Sequence, residues 1–142
     1  MCIFCRIADH ELPASIIYED DRTMVFLDIQ PINPGHLLVI PKKHADSLRD
    51  LPAEDAAQIM QVGQLMDQAL RKSNLRCEGV NLFLADGRAA GQEVHHVHLH
   101  VFPRFRGDGF ELSYDPEMHK QPGRHQLDNN AMEIRKALKE IN

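Results

Sequence analysis

The sequence has no apolar run approaching the roughly 18 residues of a membrane span. Its start, Met1-Cys2-Ile3-Phe4-Cys5-Arg6, lacks the basic opening and apolar stretch of a secretory signal. These two absences predict a cytoplasmic protein. A surplus of positive charge is missing too: 16 Lys and Arg stand against 21 Asp and Glu, a net charge of −5. A nonspecific polyanion binder needs the opposite balance, so neither nucleic acid nor a membrane is an expected partner. A small phosphate ligand stays open, because a few oriented donors hold one phosphate on an acidic protein. The three cysteines, Cys2, Cys5 and Cys77, are too few and too odd in number for a disulfide framework. No internal repeat, low-complexity segment or linker rich in Pro, Gly or Ser parts the 142 residues. With 43% apolar and 26% charged residues the chain has globular composition, about one domain in size. Histidine is what the chain has in excess: nine in all, four of them within residues 95–100.

Periodicity predicts an α+β domain with a mainly antiparallel five-stranded sheet, a long central helix and a C-terminal helix. Ser15–Glu19 and Thr23–Leu27 read as strands around the turn Asp20-Asp21-Arg22, and His36–Ile40 as a third, bracketed by Pro34-Gly35 and Pro41. Residues 53–72 carry Ile59, Val62, Met66, Ala69 and Leu70 on one helical face, with acids in the first turn and bases in the last. Val80–Ala85 and Val94–Phe102 complete the expected sheet. A final helix follows, with Ile134, Ala137, Leu138 and Ile141 on one stripe. Residues 1–110 form the expected core, and 111–142 an extension of the same domain.

The run His96-Val97-His98-Leu99-His100-Val101-Phe102 alternates with period two. On a strand, Val97, Leu99 and Val101 face a core while His96, His98 and His100 share the opposite face, about 6.5–7 Å apart. Imidazoles so arranged can bind a metal, attack as nucleophiles, or exchange protons near neutral pH. Asp86–Glu93, with Gly87 and Gly91, reads as a turn that can bring backbone N–H groups to an anion.

This signature, together with Gly91-Gln92, Asp28-Ile29-Gln30-Pro31 and Gly35–His44, resembles the histidine triad (HIT) family of nucleotide-binding proteins and hydrolases. The resemblance runs from about Cys2 to Phe110. It implies that His98 is a nucleophile attacking the α-phosphorus of purine nucleotide conjugates, phosphoramidates or dinucleoside polyphosphates, through a nucleotidyl-histidine intermediate. By the same resemblance His100 bonds a phosphoryl oxygen, and His36 and His96 sit behind the nucleophile. Asp28 receives the ribose hydroxyls, and Ile3, Phe4, Ile7, Phe26, Leu27 and Ile29 enclose base and ribose. Gln92 reaches the phosphate, and Glu93 lies at a phosphate-contacting position where relatives often carry Ser or Thr. Ala85 departs from the family's usual Asn or Gln. The other reading of the chain, favoured by Ala85 and Glu93, is a nucleotide-binding regulatory module with little turnover.

Cys2-x-x-Cys5 provides half of a zinc site. The resemblance, to the family's bacterial zinc-containing branch, supplies His44 and His96 as the other half, with His95 as the substitute fourth ligand; the metal is then structural. It also implies a homodimer. Arg104 and Arg106 read first as ordinary loop charges and second as contacts to an outer phosphate.

Overall fold

The computed structural model describes residues 1–141, and Asn142, the last residue of the expected extension, lies outside them. The chain forms two compact units, residues 1–110 and the segment from Glu111 onward. In the first, helix α1 (Ile3–Ala8) precedes strands β1 (Ile16–Glu19), β2 (Thr23–Leu27) and β3 (Leu37–Pro41). Helix α2 (Ala53–Lys72) is followed by β4 (Gly79–Phe83) and β5 (Leu99–Arg104). The sheet is antiparallel throughout in the order β1-β2-β3-β5-β4.

Both faces of the central strands are covered. Val25, Leu37, Val39, Leu99 and Val101 pack with Val97 against the apolar stripe of α2, Ile59, Val62, Met66 and Leu70. The alternate residues of β2 and β3, Met24, Phe26, Leu38 and Ile40, turn to the opposite face and meet Phe4, Ile7 and Ala8 of α1. Gly63 lets α2 approach β5 closely: a Cβ there would stand 2.8 Å from Leu99 Cδ2. The C-terminal unit contains a short 3-10 turn, Pro116–His119, and helix α3 (Arg124–Ile141). Among the described residues, no helix is long and apolar enough to cross a membrane.

Two expectations need correction. The fifth strand begins at Leu99 rather than Val94, because the His96 N–H turns back onto the Val94 carbonyl and the Val97 N–H pairs with Ala45 instead of a neighbouring strand. The fourth ends at Phe83, so Ala85 is a buried loop residue. Helix α1 was not foreseen: it is only six residues long, and its N-cap, Cys2, makes no side-chain capping bond.

Candidate active site

The Asp28–His36 turn and the start of β5 bring three histidines together, and their hydrogen-bond partners assign each proton. His36 Nδ1 accepts from the Ile32 N–H at 3.0 Å, so its proton sits on Nε2. Nε2 donates to His100 Nδ1 at 2.9 Å, which leaves the proton of a neutral His100 on its Nε2. His98 Nδ1 donates to the backbone carbonyl of His96 at 2.7 Å, which leaves His98 Nε2 with a free lone pair. The adjacent imidazoles therefore have complementary jobs. His98 offers a nucleophilic nitrogen, and His100 offers a donor. Burial pushes the His36 imidazole below its ordinary range; burial and the neighbouring His98 and His36 push His100 down to about 4, so both are neutral at pH 7.

That depressed value has a consequence for stability. The unfolded imidazole titrates near 6.5. Between there and about 4 the unfolded chain therefore binds a proton that folded His100 refuses. Stability from this group is full above the unfolded value and falls as pH drops through that window, by up to about 1.4 kcal/mol per pH unit. His100→Gln should show a shallower acid decline in chemical-denaturation midpoints than the parent. Superimposable slopes would refute the assignment.

A cleft of about 760 Å³ opens onto His36, His98 and His100. Ile3, Phe4, Ile7, Phe26, Leu27, Asp28 and Ile29 all border it, as does Glu93. The Phe4 ring stands edge-on to His98, with centroids 5.2 Å apart, and to Phe26 at 5.5 Å. Asp28 is anchored by the Gln30 N–H on Oδ1 at 2.9 Å. Ile32, Leu38, Val94 and Pro13–Ser15 also border the cleft; nothing in their residue types singles them out.

Gln92 departs from its expected role. It is buried, and its amide donates to the carbonyls of Asp46 (2.8 Å) and Val94 (3.0 Å) while its oxygen accepts from the Gly87 N–H (2.8 Å). Both amide protons are consumed, so no donor remains for a phosphate. Gln92 is a strut that ties the glycine turn to the chain after β3. His36 bonds to His100, not to His98, and His96 fixes the His98 tautomer through its backbone carbonyl rather than its ring. Arg104 is committed to Asp108, to the Phe110 carbonyl and to Asn81, and its guanidinium holds the Asp108 carboxyl well below the usual range. Neither Arg104 nor Arg106 borders the histidine cleft.

The His96 ring belongs to a second cluster. Its Nε2 donates to the Pro41 carbonyl at 2.7 Å, and His44 Nε2 donates to Asp46 Oδ1 at 2.8 Å. The two Nδ1 atoms, on the other side of each ring from these bonds, lie 3.2 Å apart. Cys2 Sγ lies 3.4 Å from His96 Nδ1, and Cys5 Sγ lies 3.3 Å from His44 Nδ1 and 3.6 Å from His96 Nδ1. A tetrahedral ion with ordinary nitrogen and thiolate bond lengths requires edges of about 3.3–3.8 Å, shortest between two nitrogens and longest between two sulfurs. The donor chemistry and the spacing both fit a metal ion, and all four ligand atoms lie within 4.8 Å of one another. Burial and the Cys2 thiol push the Cys5 thiol up to about 11, so an ion would have to displace its proton. His95 is exposed and stands outside the cluster. Asp28, His36 and His100 also lie within ligand distance of one another. They do not make a comparable site: a metal on His36 Nε2 would force a proton onto Nδ1, against the Ile32 N–H.

A nucleophilic imidazole beside a donor imidazole, both backed from an antiparallel sheet, defines a histidine-triad site. The family model for the HIT domain matches residues 9–107, and the chain belongs to that family. A Zn-bound histidine triad family protein from Mycobacterium smegmatis is 46% identical, with a TM-score of 0.75 over 81% of this chain and 83% of that one. The histidine triad nucleotide-binding protein from Candida albicans is 30% identical, with a TM-score of 0.88 over the whole of both chains. The adenosine 5'-monophosphoramidase of Candida albicans is 38% identical over 106 residues, 72% of this chain and 70% of its own length.

Proposed function

We propose that the protein is a cytoplasmic hydrolase or transferase of purine nucleotide conjugates, working through a nucleotidyl intermediate on His98. The observation that carries this is the tautomer pair, a free Nε2 on His98 beside a donating Nε2–H on His100. For a phosphoramidate, His98 Nε2 bonds to the α-phosphorus and the P–N bond breaks toward nitrogen, which takes a proton from solvent. Water then cleaves the Nε2–P bond, and the nucleoside monophosphate leaves. His100 stabilises the negative charge gathering on a phosphoryl oxygen. The relative named as a phosphoramidase supports this reading over a binding module without turnover. Asp28 would hold the ribose, and the apolar side chains of α1 and β2 the base. Rapid acid quenching with adenosine phosphoramidate should leave a nucleotidyl group on His98; label found on another residue would overturn the assignment.

The metal of the second cluster is zinc in this reading, held by Cys2, Cys5, His44 and His96 and supported by the Zn-bound relative. Four protein ligands leave no open position for water, so its role is structural. The protein also acts as a homodimer here. Edge strand β4 exposes Leu82 and Phe83, and an unpaired apolar edge calls for a cover. Sedimentation at micromolar concentration should give twice the 16.2 kDa chain mass; a single-chain mass would remove the dimer from the proposal.

A further inference from the structure

The cleft has an unusual charge inventory for a site that handles phosphate. Its charged walls are Asp28 and Glu93, and no Lys or Arg borders it. The two histidines that share it and titrate away from their ordinary range, His36 and His100, are both pushed toward the neutral form. The two carboxylates are not equivalent. Asp28 Oδ1 is taken by the Gln30 N–H, and Oδ2 lies 3.6 Å from His36 Nε2. Glu93 is exposed, and among the described residues its carboxylate has no hydrogen bond or ion pair.

Its backbone, by contrast, is well held. Gln92 on one side is buried and makes three hydrogen bonds. Val94 on the other packs against the Phe4 cluster. A free carboxylate is thus mounted on a fixed segment at the rim of the reaction cleft. A polyphosphate leaving group would meet uncompensated like charge there. An amine carrying an ammonium would meet its complement.

We infer that Glu93 is a specificity-determining residue that selects conjugates whose leaving group bears a positive charge. This rests on the nucleotidyl-transfer reading above and adds to it the chemistry of the departing group. The reaction itself is unchanged: the P–N bond still breaks toward nitrogen, and the cationic tail stays outside the bonds that form and break. Opposite charges at contact distance on a solvated rim discriminate by roughly tenfold at low ionic strength, and salt screens the effect.

The test compares three probes on the metal-loaded full chain. One is adenosine phosphoramidate carrying propylamine, the second carries 1,3-diaminopropane, and the third is diadenosine triphosphate. With the parent protein, kcat/KM for the diamine conjugate should exceed that for the propyl conjugate about tenfold, and the ratio should shrink toward one in about 0.5 M KCl. Glu93→Gln should reduce the ratio to within about twofold and raise the triphosphate several-fold relative to the propyl conjugate. Glu93→Asp should retain part of the preference. A parent ratio near one, or a ratio that Glu93→Gln leaves intact, would overturn the inference while the hydrolase reading stands. Absence of turnover and of a trapped nucleotidyl group with all three probes would overturn the hydrolase reading, and this inference with it.

Discussion

His98→Ala should lower kcat by roughly 10⁴-fold or more on any nucleotide conjugate, while nucleotide affinity and thermal midpoint change little. The size follows from what is removed. His98 Nε2 is the lone pair in the cleft that nothing else engages, because His98 Nδ1 is tied to the His96 carbonyl and His100 presents a proton. No other residue bordering the cleft can replace it as a neutral nitrogen nucleophile: the Nε2 atoms of His36 and His100 both carry protons. The small structural cost follows from the ring's position at the cleft wall, where its removal enlarges an open cleft rather than leaving a closed cavity. Phe4 and Phe26 retain their own edge-to-face contact at 5.5 Å. Single-turnover kinetics and nucleotide titration on the same preparation separate the two effects. Residual turnover within tenfold of the parent would mean that His98 is not the nucleophile.

Cys5→Ser should lose the metal, lower the thermal midpoint and raise KM more than it lowers kcat. If zinc stands a thousandfold above its dissociation constant, binding to the folded state contributes about 4 kcal/mol, on the order of 10 °C for a chain this size. The KM effect comes from α1. The same six-residue helix carries Cys5 toward the cluster and Ile3, Phe4 and Ile7 toward the cleft. So short a helix with no capping bond does not persist alone. Removing its tether should blur the apolar wall of the cleft and leave His98 untouched. Elemental analysis, calorimetry and steady-state kinetics check the three parts. Full metal occupancy in Cys5→Ser would sink the ligand set, and a complete loss of kcat with KM unchanged would make the metal catalytic.

The parts of this architecture that were legible in the sequence are those written in local patterns. The long helix shows its stripe every three or four residues, and the hairpin β1–β2 shows two apolar runs around a polar turn. The alternation from His96 to Phe102 places Val97, Leu99 and Val101 in the core, as the structure has them. The same alternation misled at its start, since Val94 and His96 continue the pattern while the backbone turns at that point. Gln92 was misread for a different reason. Its partners, Gly87 and the carbonyls of Asp46 and Val94, are brought together only by the folded chain, and an amide looks the same as strut or as phosphate donor. Helix α1 has Phe4, Ile7 and Ala8 at helical spacing, but two cysteines in so short a segment pointed to a metal and masked the helix. Of His95 and His96, it is His96 that the direction of the chain at the turn brings beside Cys2, Cys5 and His44, and residue type alone does not distinguish the two.

The Ile32-to-His36-to-His100 series also sets terms for anyone designing a ligand. Each member passes its proton forward, beginning from a peptide N–H that cannot be inverted. Because His100 stays neutral down to about pH 4, the polarity at its outer nitrogen is fixed across the physiological range. An inhibitor aimed at that point must offer a lone pair, such as a sulfonyl or phosphonate oxygen. A compound placing an N–H there would set donor against donor, and no adjustment of pH near neutrality would relieve it.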